Sequence, residues 1–158
     1  MSYARFDDEA SYRSGLGQVL ALAERTLYVF DRNLADMNFE SPALQSALLA
    51  FIDRDRGNRL HVLLHDTNAL QRHMPRTIAL IARFAHAIEV RQVPDEYRHL
   101  ADCHILADAR HGIRRFHTDH PRGSLLIDNP EEVRAWWNRY GELWEQSTPL
   151  TLTGTTGL

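Results

Sequence analysis

The stretch "HLADCHILADARHG", His99 to Gly112, decides the reading of the fold. It divides into a polar loop, a short apolar run ending in Asp108, and a turn, which is the pattern of a buried strand between turn residues. His99, His104 and His111 fall inside it, with Cys103 among them. Extended downstream, "DCHILADARHGIRRFHT" reads as strand, tight turn and strand, with His111 and Gly112 in the turn. "GSLLID" (Gly123 to Asp128) follows as another short strand.

Upstream, "TLYVFD" (Thr26 to Asp31) and "RLHVLLHD" (Arg59 to Asp66) are β-former runs that also end in aspartate. "IEVRQVP" (Ile88 to Pro94) is a third strand of this series. Helical patterns separate them. In "SYRSGLGQVLALAER" (Ser11 to Arg25), Leu16, Val19, Leu20 and Leu22 lie near one side. "ESPALQSALLAFIDRDRG" opens with Ser41 as N-cap and Pro42 at the first helical position, buries Leu44, Leu48, Phe51 and Ile52, and closes at Gly57. "NALQRHMPRTIALIARFAHA" (Asn68 to Ala87) carries Asn68 and Gln71 at capping-box spacing, and Pro75 kinks or splits it. Asn129, Pro130, Glu131 and Glu132 start a last helix, whose Val133, Trp136, Trp137, Tyr140, Leu143 and Trp144 form a core stripe.

Strands and helices in this alternation predict an α/β fold: a mixed, mostly parallel sheet flanked by helices, extended by the hairpin. The expected organisation is a single domain over residues 1–147 and a C-terminal tail over 148–158, "TPLTLTGTTGL".

Composition narrows the function. A length of 158 residues, 44% hydrophobic and 25% charged, is ordinary for a globular domain. The formal charge of −3 gives no basic footprint, so nucleic acid is not an expected partner. No run is long enough for a membrane span, "MSYARFDDEA" is neither a signal nor a transit peptide, and Cys103 alone cannot form an intrachain disulfide. The expected location is the cytoplasm. All 18 basic residues are arginine. Mechanisms that need a lysine ammonium are therefore closed to this chain.

The strand-final aspartates of "YVFD" and "LLHD", the "IEVRQVP" strand, "ILAD" with its hairpin, and "NP" opening a tryptophan-bearing helix together resemble one half of the phospholipase D fold. More narrowly, the chain resembles a bacterial family of phospholipase-D-like domains, often found behind an acetyltransferase domain, and "TGTTGL" is similar to that family's tail. The resemblance covers nearly the whole chain from Phe6 onward.

Active members of that superfamily carry H-x-K-x-x-x-x-D: the histidine attacks phosphorus, the lysine neutralises phosphoryl oxygens, and the aspartate orients a histidine. With the motif's aspartate laid on Asp108, its histidine falls on Ala101 and its lysine on Cys103. Starting from His104 instead puts Leu106 at the lysine and His111 at the aspartate. Both registers lack the reactive pair, so no catalytic residue is assigned.

The expected function is a non-catalytic phospholipase-D-like domain acting as an interaction or anion-binding module. Its candidate ligand residues are His104, Asp108, Arg114, Arg115, His117 and Asp119, since arginine forks suit phosphate or carboxylate. The alternative is a phosphodiesterase or hydrolase using a rearranged set, His104, His117, Asp119 and Arg115. A Zn²⁺ site from His117, Asp119 and His120 with His104 or Cys103 has the ligand types but not the spacing, and no metal or cofactor is expected. His65 before Asp66 reads either as a crevice pair or as a cap and its neighbour. Two half-domains pack together in the superfamily, so the resemblance implies a homodimer; a small anionic ligand and an acetyltransferase partner are the other partners expected.

Overall fold

The computed structural model describes residues 2–152. In chain order the elements are β1 (Ser2–Phe6), α1 (Glu9–Leu22), β2 (Thr26–Asp31), α2 (Pro42–Arg54), β3 (Arg59–Leu64), α3 (Asn68–His73) and α4 (Pro75–Arg83). They continue as β4 (Ile88–Gln92), a 3-10 turn (Asp95–Tyr97), β5 (Cys103–Ala107), β6 (His111–His117), β7 (His120–Ile127), α5 (Pro130–Gln146) and β8 (Thr148–Pro149).

Local chemistry sets the helix starts. Ser41 Oγ accepts the Leu44 amide at 3.2 Å, and Asn129 Oδ1 accepts that of Glu132 at 3.4 Å. Pro75 splits the third helical pattern into α3 and α4. The capping box read at Asn68 does not form: Thr67 holds the N-cap position, and the Asn68 amide donates instead to Asp66 Oδ1 at 2.8 Å.

One eight-stranded sheet runs in the order β1-β7-β6-β5-β2-β3-β4-β8. Only β2–β3 and β3–β4 pair in parallel; the other five pairings are antiparallel. The expectation of a mostly parallel sheet is corrected accordingly. Helical crossovers force parallel neighbours only among β2, β3 and β4, whereas β5 comes in beside β2 from the opposite direction and brings two hairpin strands with it. β1 carries no apolar alternation, being exposed at all but Phe6, and its sequence did not mark it as a strand.

Helices cover both faces. Leu27, Val29, Cys103, Ile105 and Ile113 turn toward α1, α2 and α4, and Tyr12, Leu16, Phe51 and Leu80 close over them. Phe30, Leu63, Leu106 and Leu126 turn toward α5, against Tyr140, Leu143, Trp144 and Val133. Trp136 and Trp137 pack at the margin of that layer, half-buried. A fully buried side chain of this size contributes about 1.5–3 kcal/mol, so each helix is held chiefly by its apolar face.

The hairpin turn lies three residues earlier than its sequence suggested, and His111 and Gly112 belong to β6. Asp108 and Ala109 take φ 58° and 54°, Arg110 N–H donates to Ala107 C=O at 3.0 Å, and His111 already pairs with Ala107. This is the primed turn that matches strand twist. At the other edge, β8 pairs with β4, and Leu150 N–H reaches Val90 C=O at 2.8 Å. Residues 153–158 of the tail lie outside the described residues.

At Gly123 of β7 a Cβ would overlap the Arg114 carbonyl and the Phe6 ring. Gly123→Ala is expected to lower stability by roughly 2 kcal/mol or more through overpacking. Gly17→Ala, exposed on α1 with nothing within 4 Å of the new methyl, should raise it by about 0.5–1 kcal/mol. Urea unfolding of the two variants checks both signs.

Candidate functional site

A cleft of about 300 Å³ opens where β2 and β3 end at their carboxyl termini, the position at which parallel strands commonly present a ligand site. Arg32 follows β2 and His65 follows β3. Arg98, Leu100, Ala101 and Asp102 come from the loop into β5, and His117, Thr118 and Asp119 from the tip of the β6–β7 hairpin. The Thr118 amide donates to Ala101 C=O at 2.7 Å and fixes the tip against the loop.

Polar contacts organise the walls. Arg32 Nη2 donates to Asp119 Oδ1 at 2.9 Å, and this bond holds the Asp119 carboxyl below its usual range. His117 Nδ1 accepts the Asp119 amide at 3.1 Å, which leaves Nε2 for a ligand. His65 Nε2–H donates to Leu100 C=O at 2.8 Å. Asp66 serves as the cap-like acceptor of Asn68, so the two readings of the His65–Asp66 pair each hold for one residue.

Asp102 forms the floor. Burial alone would raise its pKa, but Arg139 Nη2 at 2.6 Å and Arg114 Nε at 3.1 Å outweigh burial and hold it ionised. The carboxylate thereby ties α5 and β6 to the start of β5. Behind it lies His104, fully buried beside Phe30 and Tyr140, with neither ring nitrogen hydrogen-bonded. Burial drives its pKa down to about 3, so the ring is neutral.

Of the six candidate ligand residues, the structure brings His117 and Asp119 into the cleft. Arg114 borders it through Asp102. The other three stand elsewhere, for identifiable reasons. His104 is enclosed under α5. Arg115 points to the opposite face, where both terminal nitrogens bind Glu9 at 3.1 and 3.0 Å. Asp108 sits past the far end of β5, about 23 Å from Ala101 at strand rise. There its carboxylate accepts the amides of Glu24, Arg25 and Thr26 at 2.8–2.9 Å. The rearranged set of His104, His117, Asp119 and Arg115 therefore does not converge on one point. Cys103 is buried on the α1 side, 3.6 Å from the Tyr12 hydroxyl, and burial pushes its thiol pKa up. Among the described residues no group of three His, Cys, Asp or Glu side chains is placed to hold a metal ion.

Arg32, Arg98 and Asp102 were not singled out from the sequence. Arg32 carried a usable signal, since it directly follows a strand-final aspartate; Arg98 and Asp102 lay in a polar loop without a motif.

A family model described as "Domain of unknown function (DUF7931)" matches residues 8–152. The chain belongs to that family. No curated protein matches the sequence. Among solved structures, this DUF7931 chain is similar to Nuc from Salmonella typhimurium, a phospholipase D family member, at 15% identity and TM-score 0.68, over 94% of this chain and 97% of that one. It is similar to NucT from Helicobacter pylori at 10% identity and TM-score 0.64, over 94% and 99% of the two chains. It is also similar to TrmBL2, an archaeal chromatin protein whose structure shows a novel mode of DNA binding, at 15% identity and TM-score 0.68. That match covers 95% of this chain and 54% of TrmBL2, so the chain spans about half of that protein's length. These likenesses show the fold, which is phospholipase-D-like.

The partner reading made from the sequence is corrected by the third of these structures. It excluded nucleic acid on net charge, yet a protein of the same fold binds DNA. Net charge sums over the whole surface, whereas a ligand responds to the local field. The homodimer and the acetyltransferase partner in that reading have no support in the structure or its neighbours. Among the described residues, no helix is long and apolar enough to cross a membrane.

Two measurements check this placement of residues. Asp108→Asn leaves an amide where three backbone N–H groups converge, and is expected to lower stability by about 2 kcal/mol in urea unfolding. His104 is neutral in the folded chain, whereas the same imidazole exposed to water by unfolding titrates near 6.5. Its contribution to stability is therefore present above that value, and is lost as pH falls from about 6.5 toward 3 because the unfolded chain takes up the proton. His104→Phe is expected to flatten stability against pH across that window, with a change under about 1.5 kcal/mol at pH 7.

Proposed function

We propose that this chain is a non-catalytic phospholipase-D-like domain whose cleft grips a phosphodiester group without cleaving it. The carrying observation is Ala101. In the register that lays H-x-K-x-x-x-x-D on this strand, the attacking histidine falls on Ala101, an apolar residue that lines the cleft. The partner lysine falls on Cys103, which is 1% exposed and carries no charge to offer.

Loss of the nucleophile closes the covalent route, and loss of one preorganised charge typically costs about 10²–10³ in rate. Binding groups remain. Arg32 and Arg98 present guanidinium nitrogens beyond those that meet Asp119 and Asp95, and His117 Nε2 is a further nitrogen, while the other lining carboxylate, Asp102, is neutralised by two arginines. The binding reading is favoured over the hydrolase reading because the side chains that the latter requires are spread over two faces of the sheet. The domain is proposed to act as one unit over residues 1–147 with 148–158 as its tail, in the cytoplasm, where a buried, unpaired Cys103 is at home.

Dimethyl phosphate should shift the His65 and His117 imidazole NMR signals saturably, and Arg32→Ala should weaken that binding about tenfold. Bis(4-nitrophenyl) phosphate should not be turned over with or without divalent metal. Turnover that disappears in His117→Ala would defeat the proposal.

A further inference from the structure

We infer that the exposed rings and guanidinium groups at the margin of the α5-side sheet face, over β1, β6 and β7, form a stacking surface for single-stranded nucleic acid. The inference rests on the cleft reading above and names the polymer whose phosphodiester the cleft holds.

Three large apolar side chains are exposed among the described residues, and two of them, Tyr3 at 53% and Phe116 at 41%, belong to this face. Register places them there. Tyr3 lies opposite Leu126 and Gly112, and Arg5 opposite Ser124 and Arg114. Alternation puts Phe116 one step beyond Arg114 on the same side. The two rings are about 17 Å apart by strand rise and spacing, room for several nucleotides.

Arginines interleave with the rings. Arg5 Nε donates to the Tyr3 hydroxyl at 3.2 Å, and the Arg114 guanidinium lies 5.4 Å from the ring centroids of both Phe116 and Trp136. Arg122 is exposed where β7 carries one residue more than β6 between the Arg115 and His117 pairings, opposite Phe116. Among the described residues Arg5 and Arg122 form no ion pair. Exposed rings that alternate with unneutralised guanidinium groups complement a chain of alternating bases and phosphates. Unpaired bases are required, because duplex bases are already stacked on one another. The face runs straight into the cleft: Phe116 precedes His117, and Arg114 binds the cleft's Asp102.

The test is fluorescence anisotropy with a labelled oligothymidylate of about a dozen nucleotides, against a duplex of mixed sequence and phosphatidylglycerol vesicles. The single strand should bind most tightly, with affinity falling steeply as salt rises. Tyr3→Ala with Phe116→Ala should weaken it by about tenfold or more, while Phe116→Trp retains it. The double alanine variant should still bind dimethyl phosphate in the cleft, which also confirms that it folds. Tighter binding to the duplex or to vesicles overturns the inference, as does an oligothymidylate affinity unchanged by the double substitution. No oligothymidylate binding with dimethyl phosphate retained overturns this inference alone; absence of both overturns the cleft reading too.

Discussion

Three consecutive amides, from Glu24 to Thr26, converge on the carboxylate of Asp108. That contact stands where α1 hands over to β2 and β5 turns into β6, so it joins the parallel and antiparallel halves of the sheet. It fixes β5 beside β2, with Leu27 opposite Ala107 and Phe30 opposite His104. A slip of one residue would turn Ile105 and Cys103 out of the α1-side core and drive His104 and Leu106 into it. Asp108 itself sits at positive φ, a conformation aspartate tolerates better than most residues.

With that register set, each face acquires its own polar lock. On the α1 side Arg115 lies 4.9 Å from the Tyr12 ring centroid and clasps Glu9 with both terminal nitrogens, so the first turn of α1 is fastened to β6. On the α5 side Asp102 takes Arg139 from the helix and Arg114 from the sheet. Both locks are guanidinium–carboxylate contacts, the geometry for which an arginine-only chain is well supplied. They also account for two of the candidate ligand residues, Arg114 and Arg115, whose guanidinium groups are committed to Asp102 and Glu9. The guanidinium groups that line the cleft are those of Arg32, held by Asp119, and Arg98, beside Asp95; both stand on loops at the carboxyl end of the parallel strands.

Elements with strong internal signals were legible from residues alone. Ser41–Pro42 and Asn129–Pro130 marked helix starts, and the runs ending at Asp31 and Asp66 marked β2 and β3, the second of which stops at Leu64. Strand direction was not legible, because a short apolar run looks the same whichever neighbour it joins; the antiparallel placement of β5 is a property of the assembled sheet. β1 was hidden for a different reason: an edge strand exposed on four of its five residues has no apolar period to read. Site residues divided in the same way. His117 and Asp119 are near neighbours in sequence and stay together in space. His104 and Arg115, cross-strand neighbours of Arg114 and Cys103, point away from each other because adjacent strand positions face opposite sides.

The two-residue strand β8 has an effect out of proportion to its length. Together with the Leu150 amide it occupies the outer rim of β4, a strand whose backbone groups would otherwise stand ready to recruit another polypeptide. Proline at position 149 adds a residue that cannot donate from its own nitrogen, so the ladder has little means of growing past it. β8 and Leu150 thus act as a hem, finishing a border along which the fabric could otherwise be extended into fibrous aggregates.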